Sequence, residues 1–260
     1  MDMTFEQYIL NPMGRNNAVL NATTRENIRK DYIDRFDKIL LRENGKINYK
    51  IYKDKKSNTY WFHIMIPSET VKGFTYDVVL KFFADEKVKE AGENLFKYNV
   101  NFYSNDPSFV YTFAHVFIEN GLFIKELTPK MSKLAVKKDP KITNPSKLVG
   151  YVKTLYFAYL YMNNKGLNKK IKIEAEAQPL NIKDLLESIE DADSKIARRQ
   201  ESAGKKETRS TQPRQSSKPK IFGNMNSNIN NIHNTKNIKT TKFTTSGIKS
   251  SKRTGYIKKK

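Results

Sequence analysis

Charge is distributed unevenly along this 260-residue chain, and this limits how much of it can fold into a core. Residues 201–260 contain 15 Lys and Arg but only two acids, a net charge of +13 out of +21 for the whole sequence. The same stretch is rich in Lys, Asn, Ser and Thr, and its few apolar residues follow no helical or strand period. Such a segment cannot bury enough apolar surface to offset roughly 1–2 kcal/mol of ordering entropy per residue. The sequence therefore predicts a disordered cationic tail that follows a folded region.

The composition of the tail predicts non-specific binding to nucleic acid, either DNA or RNA. Lys and Arg side chains neutralise backbone phosphates and release counterions, and this requires no base-specific geometry. The alternatives are a tail that only keeps the protein in solution and, in a pure assembly protein, a tail that binds an acidic protein partner. The residues predicted to contact phosphates are Lys206, Arg209, Arg214, Lys218, Lys220, Lys236, Lys239, Lys242, Lys249, Lys252, Arg253, Lys258, Lys259 and Lys260.

The region before the tail predicts an α+β fold, in which an antiparallel sheet of about four strands packs against helices. Runs with a period of two indicate strands, and runs with a period near 3.6 indicate helices. The predicted strands cover residues 47–51, 60–66, 74–83 and about 98–104. The predicted helices cover residues 24–41, 107–120, 131–138, 147–163 and 181–200.

Two of these helices have recognisable start signals. Thr23 and Glu26 have the spacing of a capping box, which predicts Thr23 as the N-cap of the first long helix. Asp106 and Pro107 predict the start of the second, with Asp106 as N-cap and Pro107 in the first turn. The polar segment at residues 99–107 could also bind an anion at this helix N-terminus, but capping explains the same residues without a ligand.

Three segments are predicted along the chain: an α+β domain over residues 1–170, a linker with an amphipathic helix over 171–200, and the cationic tail over 201–260. The amphipathic helix carries an apolar stripe, and few packing residues connect it to the domain. We therefore expect the stripe to dock on a protein partner or on another copy of the chain. Its residues are Ile182, Leu185, Leu186 and Ile189.

The sequence offers little for catalysis. It has no Cys and no glycine-rich phosphate loop, and His63 and His115 have no neighbouring ligand at metal-binding spacing, so no cofactor or metal site is predicted. The enzymatic alternative is a magnesium-dependent nuclease in which Glu26 and Asp77 hold the metal and Lys81 stabilises the attacking water. The spacing of Asp77 and Lys81 differs from the Glu-x-Lys pair of restriction-type nucleases, and a non-enzymatic protein is the favoured prediction.

Two stretches of the chain, residues 11–36 and 102–162, resemble uncharacterised proteins encoded by phages of low-GC Gram-positive bacteria. The resemblance covers most of residues 1–170 and carries no catalytic motif. It implies a phage protein with a structural role, found in the virion or in the host cytoplasm. No apolar run approaches the roughly 18 residues that a membrane span requires, so no membrane association is expected.

Overall fold

The computed structural model describes residues 2–12, 20–83, 93–137 and 143–207, with side chains described as far as Ser202. Met1–Gln212 forms one compact unit. A second unit, Pro213–Lys260, lies outside the described residues. The disordered tail was predicted to begin at residue 201, which was wrong because Ala192–Glu207 is helical. The rest of that prediction falls on residues outside the described ones.

The described region has the predicted α+β architecture, with a five-stranded sheet in the order β4-β3-β2-β1-β5. The pairs β1–β2, β2–β3 and β3–β4 are antiparallel, which confirms the predicted hairpin and the two strands that follow it. The short strand β5 pairs parallel with β1 and was not predicted. The strands are β1 (Tyr49–Asp54), β2 (Thr59–Pro67), β3 (Thr75–Phe83), β4 (Asn99–Ser104) and β5 (Gln178–Pro179).

Helices cover both faces of the sheet, so β2 and β3 are buried along almost their entire length. The α-helices are α1 (Phe5–Leu10), α2 (Ala22–Arg42), α3 (Ala114–Glu119), α4 (Lys133–Lys137), α5 (Lys153–Asn164), α6 (Lys170–Glu176), α7 (Ile182–Ser188) and α8 (Ala192–Glu207). Two 3₁₀ helices (Leu95–Lys97 and Lys125–Lys130) and one π-helical turn (Phe109–Phe113) complete the described elements. No helix among the described residues has the length and apolar character needed to cross a membrane.

The side chains of each strand alternate between the two faces. Phe62, Phe82 and Phe102 lie on the first face, where α1 packs against Phe82 and Phe102 through Phe5. Helix α5 also covers this face, and α2 packs outside α5 through contacts that include Phe36 and Phe157, whose rings are 5.2 Å apart. His63, Asp77 and Val79 lie on the second face, which α8 covers.

The long helix α2 begins earlier than predicted, and the capping-box prediction was wrong. Asn21 is the N-cap, and its side chain accepts a hydrogen bond from the Thr24 amide at 2.8 Å. Thr23 therefore lies inside the first turn. Asn is at least as good an N-cap as Thr, so the earlier cap adds residues to the helix without losing the capping hydrogen bond. Glu26 has no capping role and is exposed.

The helix predicted over residues 147–163 begins at Lys153 instead. The preceding segment is held by Tyr8 of α1, whose hydroxyl donates to the Gly150 carbonyl at 3.0 Å and accepts from the Val152 amide at 2.9 Å. At Gly150 a Cβ would lie 2.8 Å from the Phe113 ring. These contacts between distant parts of the chain override the helical pattern of the local sequence.

Because both bonds of the Tyr8 hydroxyl are buried, the conservative variant Tyr8→Phe should be costly. It leaves a buried amide and a buried carbonyl without their partner, and we expect the free energy of unfolding to fall by about 1–3 kcal/mol. Urea unfolding measures this loss. Tyr111→Phe is the matched control because Tyr111 is half exposed. Equal stabilities for the two variants would contradict the role assigned to Tyr8.

Residues 170–200 contribute side chains to the same hydrophobic core as the preceding residues. The sequence analysis instead predicted a linker with a helix that docks on a partner. Strand β5 pairs with β1, and helix α6 contacts β1. The Leu180 amide also donates to the Lys53 carbonyl of β1. The predicted single helix is two helices, α7 and α8, with Asn181 as the predicted N-cap of the first. Leu185 and Ile189 of the apolar stripe are buried in the main hydrophobic core. The chain itself therefore covers the centre of this stripe.

Candidate functional site

The residues predicted to bind nucleic acid lie at and beyond the end of α8. Lys206 falls within the helical backbone of α8, and the other predicted residues, from Arg209 onward, are outside the described residues. The structure therefore does not describe a geometry for the predicted phosphate contacts. It does describe how the helix that leads to the tail is fixed to the sheet.

A buried polar network joins α8 to the second face of the sheet, with Asp77 of β3 at its centre. One carboxylate oxygen of Asp77 lies 2.9 Å from His63 Nε2, and the other accepts from Asn105 Nδ2 at 2.8 Å and lies 3.6 Å from Lys195 Nζ. All four residues are buried, with relative exposures of 4% or less. Lys195 belongs to α8, so this network connects the helix directly to the sheet.

The same network includes the turn between α7 and α8. Asn105 Nδ2 also donates to the Glu190 carbonyl at 3.1 Å, and Lys195 Nζ lies 3.2 Å from the Glu190 carboxylate. Asn105 and Asp77 are further joined through the Asp77 amide, which donates to Asn105 Oδ1 at 2.8 Å. Each polar group of Asn105 thus has a partner, which fixes its orientation.

The electrostatic balance at Asp77 favours the ionised carboxylate. Burial raises the pKa of Asp77, but the hydrogen bond and charge of His63, the charge of Lys195 and the Asn105 hydrogen bond together lower it below its ordinary value. The charged form is therefore stabilised by its partners despite being removed from water. Loss of a partner would leave a buried charge uncompensated.

The sequence analysis considered His63 only as a possible metal ligand and did not pair it with Asp77. Its neighbour is Asp77, which is 14 positions away on the adjacent strand. Both residues lie on one face of the predicted antiparallel strands, and this shared face was the available signal. His63 Nδ1 is buried and has no hydrogen-bond partner among the described residues.

Two cations of α8 also contact an aromatic ring near the start of β3. Lys195 Nζ lies 5.2 Å from the centre of the Phe74 ring, and the Arg198 guanidinium lies 5.4 Å from it. Arg198 additionally pairs with Glu190 at 2.5 Å. These cation–π contacts and ion pairs add to the attachment of α8.

The three residues of the nuclease hypothesis do not meet in one site. Glu26 is exposed on α2, outside the helices that cover the first face. Asp77 lies on the opposite face, where it is bound in the buried network. Lys81 shares that face but pairs with Glu126 at 2.6 Å and contacts the Trp61 ring. Their placement gives no support to a shared metal site.

The segment at residues 99–107 uses its polar groups for capping and packing. Asp106 Oδ1 accepts from the Ser108 amide at 2.7 Å, and Ser104 Oγ accepts from the Asp106 amide at 3.1 Å. The helical segment starts at Pro107, as predicted, although it includes the π-helical turn before α3. These observations support the capping interpretation of the segment.

A second cluster of charges lies around Glu69, in the loop that follows β2. Arg35 of α2 forms a two-bond ion pair with its carboxylate, at 2.6 and 2.7 Å, and Lys153 of α5 contacts the same carboxylate at 2.5 Å. Burial raises the pKa of Glu69, but the hydrogen bonds and charges of Arg35 and Lys153 outweigh this effect and lower it to about 2.

The lowered pKa of Glu69 predicts a stability loss in acid. Because the folded-state pKa lies below the ordinary value of 4.5, the stabilisation is complete above pH 5 and is lost as the pH falls toward 2. Between pH 7 and pH 3 the free energy of unfolding should decrease in both proteins. We expect this decrease to be smaller in Glu69→Gln than in the wild type by about 1–2 kcal/mol, after a discount for solvent screening. Urea unfolding at both pH values measures it, with the exposed Glu187→Gln as control. A Glu69→Gln variant with the same pH dependence as the wild type would contradict this prediction.

Among the residues that the structure describes, no group of three or more His, Asp or Glu side chains is arranged to hold a metal ion. No family model, curated protein or solved structure matches this chain. The resemblance to phage proteins therefore stays a prediction from the sequence.

Proposed function

We propose that this protein is a non-enzymatic nucleic-acid-binding protein that holds DNA or RNA through its cationic C-terminal tail. The observation that carries the proposal is the charge of residues 213–260, which follow the compact unit. They contain 12 Lys and Arg and no Asp or Glu. Since each Lys or Arg that contacts a phosphate releases a counterion, such a tail binds any nucleic acid without reading its bases.

The folded unit is a less suitable polyanion-binding surface. Residues 1–212 contain 36 basic and 27 acidic residues, a net charge of +9. Several of its cations are paired with carboxylates, including Arg35 with Glu69, Lys53 with Glu174 and Lys81 with Glu126. We assign this unit the role of a folded domain that carries the tail, with α8 as the last helix that the structure describes.

The proposed setting is a phage, either in the virion or during assembly in the host cytoplasm. The resemblance of residues 11–36 and 102–162 to phage proteins supports this setting, and a non-specific cationic tail suits contact with a packaged genome. A pure assembly role, in which the tail binds an acidic protein, is the competing outcome of the test below.

The test is a mobility-shift assay with the full chain on double-stranded DNA, single-stranded DNA and RNA, each in two unrelated sequences. Magnesium is present, and the substrate is recovered afterwards on a denaturing gel. We expect binding to all substrates, similar affinity for both sequences, and intact recovered nucleic acid. Absence of binding at low salt would refute the proposal, and cleavage of the substrate would refute its non-enzymatic part.

A further inference from the structure

A small cavity lies where α2, α5, α8 and the loop after β2 meet. Its volume is about 110 Å³, which corresponds to a few water molecules at roughly 30 Å³ each. Three cations from three different helices line it: Arg35, Lys153 and Arg199. Ser68, Thr70 and Thr154 add hydroxyl groups to its wall. A cavity of this size and lining matches a tetrahedral oxyanion.

Arg199 is the cation of this cavity that has donors to spare. Arg35 and Lys153 are both bound to Glu69, whereas Arg199 forms no ion pair with any described carboxylate. Its Nε is buried and has no hydrogen-bond partner among the described residues. A buried, unsatisfied guanidinium nitrogen is unfavourable, and an anion in the cavity would satisfy it.

The charges around the cavity leave a positive surplus. Asp31 and Glu69 both pair with Arg35, and Glu69 also pairs with Lys153, so Arg199 is the lining cation without a described carboxylate partner. Asp106 is close enough to interact electrostatically with Lys153 and Arg199, but burial raises the pKa of its carboxyl group and so disfavours its charged form. An incoming anion would therefore meet more positive than negative charge.

We propose that this cavity binds a phosphoryl group, as free phosphate or as a phosphate monoester, with Arg199 as the principal ligand. Planar guanidinium groups donate paired hydrogen bonds to phosphate oxygens, and Lys153 adds a point charge. A terminal phosphate can enter the small cavity end-on. A phosphate within a nucleic-acid chain is bonded to a sugar on each side, and both sugars would have to fit as well. All the lining residues named here belong to the first compact unit, and the proposal does not depend on the function proposed for the tail.

The test is isothermal titration calorimetry of the full chain with inorganic phosphate at constant ionic strength. A nucleoside 5′-monophosphate and the unphosphorylated nucleoside serve as further ligands to distinguish the two phosphate sources. The key variant is Arg199→Gln. The matched control is Arg198→Gln, which removes the same charge from the adjacent position on α8 and leaves the tail intact. A third variant, Arg199→Lys, retains the charge without the guanidinium. Thermal unfolding without phosphate establishes that each variant is folded.

We expect the wild type and Arg198→Gln to bind one phosphate or one monophosphate with equal affinity. Binding by Arg199→Gln should be at least about tenfold weaker, with Arg199→Lys between the two, because a hydrogen bond to a charged group is lost. If inorganic phosphate binds and the nucleoside monophosphate does not, free phosphate is the ligand. If the monophosphate binds as tightly or more tightly, the ligand is a phosphate monoester. Equal losses in Arg199→Gln and Arg198→Gln, or no saturable binding of either compound, would overturn the proposal.

Discussion

Removal of residues 213–260 should lower the affinity for nucleic acid by about a thousandfold at low salt. The truncation deletes 12 basic residues and no acids. Proteins that make 6–10 phosphate contacts lose about 10³–10⁵ in affinity over a fourfold rise in salt, which shows how much such contacts contribute to binding. Deleting a similar number of contacts should therefore remove most of the affinity. Fluorescence anisotropy with labelled DNA and RNA measures the loss.

The position of the truncation matters because α8 continues to Glu207. A chain that ends at residue 200, the boundary predicted from sequence, would lose the end of this helix. A chain that ends at Gln212 retains the whole compact unit. Its thermal unfolding should match that of the full chain, which separates loss of binding from loss of folding. Full affinity in a folded 1–212 chain would place the binding surface on the domain instead.

Asp77→Ala should be among the most destabilising single substitutions in the domain. It leaves His63 Nε2 without its partner. It also removes one of the two carboxylates beside Lys195, so that only Glu190 remains there. Breaking a buried ion pair by removing one partner costs about 3–5 kcal/mol, because the remaining charge stays buried. We expect a decrease of this size in the free energy of unfolding, measured by urea denaturation near neutral pH.

An exposed carboxylate provides the control for this substitution. Asp31 pairs with Arg35 on the surface of α2, and its side chain is 59% exposed. Asp31→Ala should cost less than about 1 kcal/mol. The double variant Asp77→Asn with Lys195→Met removes the buried charges together and should recover part of the loss. If Asp77→Ala and Asp31→Ala had equal stabilities, the buried network would not be what fixes α8 to the sheet.

The sequence was sufficient to predict the elements whose signals are local. The β1–β2 hairpin and the third and fourth strands follow from period-two runs. Both faces of β2 and β3 are largely buried because helices cover each side. The boundaries of α2 and α5 were predicted less well. Asn21 and Thr23 are both good caps, and the start of α5 is set by Tyr8, more than 140 residues earlier in the chain.

The polar network could be predicted only in part. His63 and Asp77 are on one face of adjacent strands, so the sequence contained the information needed to pair them. Asn105, Glu190 and Lys195 come from a loop, a turn and a later helix, and only the tertiary fold brings them together. The cavity around Arg199 has the same origin, since its three cations come from three helices.

In the proposed function, the charge of the tail, rather than its length or the domain, holds nucleic acid. The most direct test is a salt titration of DNA binding by the full chain and by a variant in which the twelve Lys and Arg of residues 213–260 are replaced by Gln. A control of equal length replaces twelve Asn, Ser and Thr residues of the same segment by Gln. We predict that the control retains the steep salt dependence of the wild type. The charge-neutral variant should lose about 0.9 from the slope of log K against log salt for each phosphate contact removed. Equal slopes and affinities for all three proteins would contradict the claim.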